Sequence, residues 1–306
     1  MTQVIIAIIP VFLIILAGAA VGFTKLTDEK WVQVLNKYGL YIAFPPLIIH
    51  SMMRSDPSTA LDATVILLNF GILFLLIFGA LFATKLLKIK TSVANTYIIC
   101  IFFGNIGYMG YPVIATLIPG SEGLISVHIS IYNIALFALG IYILEHSLGH
   151  MTCKKVILKK TLTHPLLLAV AVGLLLMLLP ITVPGVIESA LHMLEVSASP
   201  VVLFALGLFL VRKINIRKHI GHVTALTLLQ LLIVPGIFYL TGLAFNPGPN
   251  YNVSILEAAM PLAITPFALS EEYPMEREVI VATVLLSTAL SPLSIGFFST
   301  LIGIGA

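Results

Sequence analysis

Long apolar runs follow one another along almost the whole chain, and this feature limits its fold more than any other. A run of about 18 or more apolar residues is long enough to cross a bilayer as a helix. Only 9% of the 306 residues are charged and the mean hydropathy is +1.10, which excludes a soluble globular protein. The sequence therefore predicts an all-α, multi-pass integral membrane protein with ten transmembrane helices. We place them at residues 3–23, 34–53, 62–84, 92–118, 123–147, 164–182, 189–211, 219–245, 251–270 and 278–304.

The basic residues fall almost entirely on one side of these ten spans. Cytoplasmic loops of membrane proteins carry an excess of lysine and arginine, and fifteen of the sixteen such residues lie in the odd-numbered connections, with Arg54 as the exception. This distribution predicts a cell-membrane protein with both termini outside. It also accounts for the net charge of +3 through orientation in the lipid bilayer, so no nucleic acid partner is expected. The first run lacks a basic start, and we interpret it as a span rather than a cleaved signal peptide.

The chain divides into two halves that we predict to be inverted repeats. Each half, residues 1–150 and 151–306, holds five spans, and an odd number makes the second half enter the membrane from the opposite side. The second and seventh spans correspond, because Pro46 and Pro200 both lie near mid-span. Proline removes a backbone donor there and kinks the helix, so matching kinks are expected in the two halves.

The fourth and ninth spans are each interrupted near the middle by residues that disfavour a helix. These are Gly104, Asn105, Gly107, Gly110 and Pro112 in the fourth span and Pro261 and Pro266 in the ninth. Backbone that is unwound at membrane depth needs polar partners, and broken helices at corresponding positions of two halves are typical of the central site of a transporter. The alternative is that glycine and proline serve only tight helix packing.

Three segments resemble the auxin efflux carrier family, including its bacterial branch of malate and malonate permeases. They are Leu35–Pro45, Gly104–Pro112 and Ser199–Gly207, in the order found in the family. The resemblance covers the whole chain. It implies a scaffold made of spans one, two, six and seven, and a transport domain made of the remaining spans. In such a protein, spans four and nine cross, and the transport domain moves by elevator-type alternating access.

The resemblance also implies roles for residues in the crossover. Asn105 would hydrogen-bond the substrate carboxylate, and the prolines of spans four and nine would hold the crossover open. Plant members carry a proline beside this asparagine, whereas Ile106 follows it here, which argues against auxin as the substrate. The predicted substrate-binding residues are Asn105, Gly107, Tyr108, Asn133, Pro261 and Thr265. The predicted backbone positions are Pro46, Gly104, Gly110, Pro112, Pro200 and Pro266.

Ionisable groups are scarce within the spans, so each one is a functional candidate. Glu257 and Asn69 are the candidates for binding a coupled proton or sodium ion. For Glu257 the alternative is an interfacial glutamate in water. For Asn69 and Asn133 the alternative is a hydrogen bond that only links helices.

Several other features receive a structural interpretation. His192 and Glu195 share a helix face with a spacing that suits a metal ion, but no second pair of ligands appears, so no metal or cofactor is predicted. His50 and His128 are expected near the membrane interface. The small residues that start at Gly18 indicate helix packing or a homodimer contact.

These observations together predict a secondary active transporter that moves small organic anions by alternating access. Motifs of hydrolases and nucleotide-binding enzymes are missing, so an enzyme is not expected. A channel, a membrane sensor that binds its ligand, and a sodium-coupled bile-acid-type symporter are the alternatives.

Overall fold

The computed structural model describes residues 2–24, 26–147, 162–179, 181–211 and 219–304, and the regular elements within those ranges are helices. The all-α prediction is thus confirmed. The helices are α1 (Thr2–Gly22), α2 (Glu29–Tyr38), α3 (Phe44–Met53), α4 (Pro57–Ala60), α5 (Ala63–Leu86), α6 (Thr91–Cys100), α7 (Tyr111–Leu117), α8 (Glu122–Ile134), α9 (Ile141–Ser147), α10 (Pro165–Leu178), α11 (Gly185–Leu210), α12 (Ile220–Leu228), α13 (Val234–Phe245), α14 (Tyr251–Ala258), α15 (Thr265–Leu269) and α16 (Arg277–Leu301).

Five helical stretches in the described part of the chain are long and apolar enough to cross a membrane. They are α1, α4 with α5, α11, α12 with α13, and α16, and they measure 21 to 30 residues. Their apolar side chains are exposed on the outside of the bundle, as lipid contact requires. The chain is therefore a multi-pass membrane protein. The other predicted spans consist of shorter helices, so the count of ten and the inverted repeat stay predictions. Two basic loops that support the orientation, residues 148–161 and 212–218, lie outside the described residues.

Wider π-helical turns join several of the shorter helices. They occupy Gly39–Ala43, Ile106–Gly110, Ala135–Gly140 and Leu229–Ile233. At three of them the residue whose N–H closes the turn directly precedes a proline, as in Phe44–Pro45, Tyr111–Pro112 and Val234–Pro235. A proline ring clashes with the carbonyl four residues earlier, and a turn with one additional residue relieves that clash. The prolines of these spans thus lie in the first turn of the following helix.

The helices of the first, second, sixth and seventh predicted spans pack against one another. In particular, α1 and α11 approach backbone to backbone at Gly18 and Gly207, where a side chain would collide with the facing main chain. The small residues of α1 therefore form an internal packing contact. On the same bundle, α3 packs between α10 and α11. Whereas Pro46 lies in the first turn of a helix, Pro200 lies inside α11, which continues as a helix on both sides of it.

Candidate functional site

The two interrupted helices pair with each other through their main chains. After α6 ends, the backbone N–H of Asn105 donates to the carbonyl of Pro261 at 2.7 Å. In return the N–H of Ala263 donates to the carbonyl of Phe103 at 3.1 Å. These bonds form a short antiparallel bridge between the segment after α6 and the segment after α14. Backbone groups released by the two helix ends are thereby satisfied where they are buried inside the protein.

A cavity of about 90 Å³ lies beside this pairing. Five of the six predicted substrate-binding residues line it, namely Asn105, Gly107, Tyr108, Asn133 and Thr265. The sixth, Pro261, instead contributes its carbonyl to the bridge. The opposite wall comes from the second and sixth predicted spans, through Leu40, Phe44, His164 and Leu166. The cavity therefore lies between the interrupted helices and the bundle that contains α3 and α10.

Asn105 is held rigidly through its backbone while part of its amide stays unpaired. Its carbonyl accepts from the N–H groups of Met109 and Gly110, at 3.3 Å and 2.9 Å, in the π-helical turn that follows. Its side chain is 3% exposed, and its Oδ1 atom is buried without a hydrogen-bond partner. A buried polar atom without a partner costs free energy, and a carboxamide offers both donors and an acceptor. A ligand in the cavity would therefore find a prepared polar group.

Gln230 is a buried polar residue at the same place that the sequence interpretation missed. It lies in the π-helical turn between α12 and α13, and its Nε2 atom donates to the carbonyl of Met260 at 3.2 Å. Its Oε1 atom is buried without a hydrogen-bond partner. A side chain at Gly104 would approach Gln230 Nε2 to 3.1 Å, so the glycine leaves room for this amide. The sequence does contain an indication of this residue, because an amide side chain within an apolar span is unusual.

A second polar cluster surrounds Glu257 in the last turn of α14. Glu257 and His128 are both 0% exposed, and His128 Nδ1 lies 2.6 Å from Glu257 Oε2. Asn69 on α5 donates to Ser254 Oγ at 2.7 Å and lies 3.5 Å from His128 Nε2. The alternative of a Glu257 side chain in water is wrong, since Glu257 is fully buried. Burying a charged group costs free energy unless the group is paired, and even a buried pair adds little to the stability of the fold. This pair is therefore a candidate functional group.

The cluster and the cavity share an element. Helix α8 carries His128, and the next residue, Ile129, lines the cavity together with Tyr132 and Asn133. Asn133 also donates to the carbonyl of Ile129 at 2.7 Å. The cluster and the cavity therefore lie next to each other along α8.

Of the predicted backbone positions, Gly104 lines the cavity. Gly110 closes the π-helical turn onto Asn105, and Pro112 begins α7. Pro46 and Pro266 lie in the first turns of α3 and α15, where a missing N–H costs little. These prolines thus begin helices after the turns and breaks.

His50, predicted at the membrane interface, is instead 3% exposed. Its Nδ1 atom lies 2.5 Å from Glu195 Oε2, between α3 and α11. His192 Nδ1 lies 3.1 Å from the same oxygen. The predicted pair of His192 and Glu195 thus has a third partner, which is 145 residues away from Glu195 in the sequence.

The known proteins that this chain resembles include several transporters. Residues 3–299 match the family described as "Membrane transport protein". An "Uncharacterized transporter" of Methanothermobacter thermautotrophicus is 28% identical over 96% of this chain and 97% of its own. A "Putative malonate transporter" of Rhizobium meliloti is 26% identical over 89% of this chain and 87% of its own. A "Probable auxin efflux carrier component 5a" of Oryza sativa subsp. japonica is 28% identical over 40% of this chain and 35% of its own. The resemblance to the auxin efflux carrier family is confirmed.

Proposed function

Because the chain belongs to the membrane transport protein family, which includes the auxin efflux carriers, we propose that it is a secondary carrier of small organic anions. The observation that carries this proposal is the main-chain bridge of the two interrupted helices beside a cavity lined by Asn105. The malonate name of one relative supports carboxylates as the substrate class. Asn105 would donate to the carboxylate through the N–H groups of its amide, with Thr265 and Asn133 as further polar contacts.

The proposed movement is alternating access of the elevator type. The scaffold would consist of α1, α2 with α3, α10 and α11, and the remaining helices would form the transport domain. The backbone contact of α1 with α11 supports a rigid scaffold. The cavity lies between this bundle and the interrupted helices, where the rings of Phe44 and Tyr108 contact each other edge to face, with their centroids 4.9 Å apart. The ten spans, the inverted repeat and external termini are part of this proposal.

Charge balance favours a coupled cation. In the described part of the chain, no lysine or arginine lines the cavity, so the negative charge of a substrate needs compensation from elsewhere. The buried pair of His128 and Glu257 would hold a coupled proton, with Asn69 and Ser254 as its hydrogen-bonding surroundings. A proton fits better than sodium, because the histidine occupies one carboxylate oxygen of Glu257 and a sodium ion needs several oxygen ligands.

Ligand-dependent thermal stability of the purified protein tests the binding site. A ligand that binds only the folded protein stabilises it by about 2.7 kcal/mol at a hundred times its Kd. We expect malonate, malate or a related carboxylate to raise the melting temperature of the native protein and not that of Asn105→Ala. Asn252→Ala, outside the cavity, is the matched control and should keep the shift. An unchanged shift in Asn105→Ala would remove Asn105 from the site.

Flux into proteoliposomes tests the carrier mechanism. A carrier shows saturable uptake that internal substrate accelerates, whereas a channel does not, and a sensor shows no flux. Uptake should respond to an imposed pH gradient. Glu257→Gln should lose that response and keep exchange of substrate, while Glu122→Gln, at the start of the same helix as His128, should retain both. Uptake that requires sodium and ignores the pH gradient would favour the bile-acid-type symporter instead.

A further inference from the structure

Three potential metal ligands converge on the side of the bundle where α3 packs against α11. They are His50 on α3 and His192 and Glu195 on α11, and one ligand atom of each lies within 4.8 Å of the others. Glu195 Oε2 lies between the two histidines, 2.5 Å from His50 Nδ1 and 3.1 Å from His192 Nδ1. The cluster lies outside the cavity and is distinct from the pair of His128 and Glu257.

The donor set suits a zinc-type ion. Two imidazole nitrogens and one carboxylate oxygen are common ligands of Zn²⁺, which binds them at about 2.0–2.2 Å in a tetrahedron. Ligand atoms in such a tetrahedron are roughly 3.3 Å apart, so the observed spacing requires only small side-chain movements. His192 and Glu195 are one helical turn apart and therefore present their ligand atoms on one face.

A fourth residue supplies an independent indication. The Nε2 atom of His50 is buried without a hydrogen-bond partner, and Glu188 Oε1 lies 3.7 Å from it. A histidine that ligates a metal through one ring nitrogen usually donates its other N–H to a carboxylate. Glu188 reaches that arrangement through a small side-chain movement if His50 binds the ion through Nδ1. The cluster is open at the surface of the bundle, because the side chain of His192 is 58% exposed.

We propose that His50, His192 and Glu195 bind a divalent transition metal ion of the zinc type, with Glu188 orienting the His50 ring. The ion would join α3 to α11, both of which belong to the proposed scaffold. Protonated histidines do not ligate metals, so binding weakens in acid. Without metal, the same contacts form an ordinary ion pair between a protonated His50 and Glu195, which is the competing explanation.

Zinc titration of the purified, tag-free protein against a chromophoric chelator tests this proposal. We expect one saturable Zn²⁺ site per chain at pH 7.4 and much weaker binding at pH 5.5. His192→Ala and Glu195→Gln should each weaken binding at least tenfold, and Glu188→Gln should weaken it about tenfold. His222→Ala is the control, since His222 contacts Tyr97 away from the cluster, and it should bind like the native protein.

The outcome does not depend on transport. Because His192 is largely exposed, His192→Ala should fold, and its elution and melting temperature without metal provide the check. An absence of saturable Zn²⁺ binding in the native protein would overturn the proposal. So would an affinity for Zn²⁺ in His192→Ala and Glu195→Gln that equals that of the native protein. Zinc binding in a protein that fails to transport carboxylates would leave the metal site intact and remove only the proposed function.

Discussion

Replacement of Gly207 by alanine tests the rigid contact between α1 and α11. The added methyl group would lie 2.0 Å from the carbonyl oxygen of Ile15 and 2.7 Å from the backbone nitrogen of Ala19. Carbon atoms in contact need roughly 3.5 Å, so the helices must separate by more than an ångström. Overpacking of this kind costs about 1–3 kcal/mol, and backbone atoms place it at the upper end because they have no rotamer to change. The better helix propensity of alanine returns about 0.5–1 kcal/mol, which leaves about 2 kcal/mol of destabilisation.

Thermal unfolding in detergent, followed by size-exclusion chromatography of the heated samples, measures this loss. A change of about 2 kcal/mol corresponds to roughly 4–8 °C in the melting temperature. The matched control is Gly79→Ala in α5, where an added side chain meets no atom within 4 Å, and its melting temperature should stay the same or rise. If Gly207→Ala melts together with Gly79→Ala, then α1 and α11 are not in backbone contact and the scaffold argument loses its basis.

Two further predictions concern the buried polar groups. Gln230→Leu should leave the folded protein in the membrane but weaken the ligand-induced thermal shift, because the amide beside the bridge is lost; a full shift would show that Gln230 only supports packing. His128→Leu should lower the free energy of unfolding by about 3 kcal/mol or more, since it leaves Glu257 buried without its partner. Glu257→Gln, which retains a hydrogen-bonding group for His128, should cost much less. Equal melting temperatures for these two variants would contradict a charged pair.

The sequence predicts the local features well because they depend on neighbouring residues. Apolar runs locate the helices, and glycine and proline locate the interruptions after α6 and α14. Five of the six predicted binding residues line one cavity, since the interruptions themselves create it. The division into a scaffold and a transport domain is implied by the family resemblance and stays a prediction.

The sequence fails where distant segments decide the outcome. His50 and Glu195 are 145 residues apart, and His128 and Glu257 are 129 residues apart, so no spacing rule joins them. His50, His128 and Glu257 each resemble an interfacial group near a span end, and tertiary packing buries all three. The π-helical turn that carries Gln230 is similarly invisible to helical periodicity, because one additional residue leaves the apolar pattern almost unchanged.

The bridge between the two interrupted helices has an evolutionary consequence. Its bonds use only main-chain atoms, so they depend little on side chains, apart from Gly104, where a side chain would crowd Gln230, and from the two donor positions, Asn105 and Ala263, which exclude proline. The backbone bridge that holds the two interrupted segments together therefore does not depend on the side chains that line the cavity. Mutations around the cavity can change which ligand fits, one residue at a time, while the paired backbone stays hydrogen-bonded. A carrier built this way can acquire new substrates by neutral steps rather than by refolding.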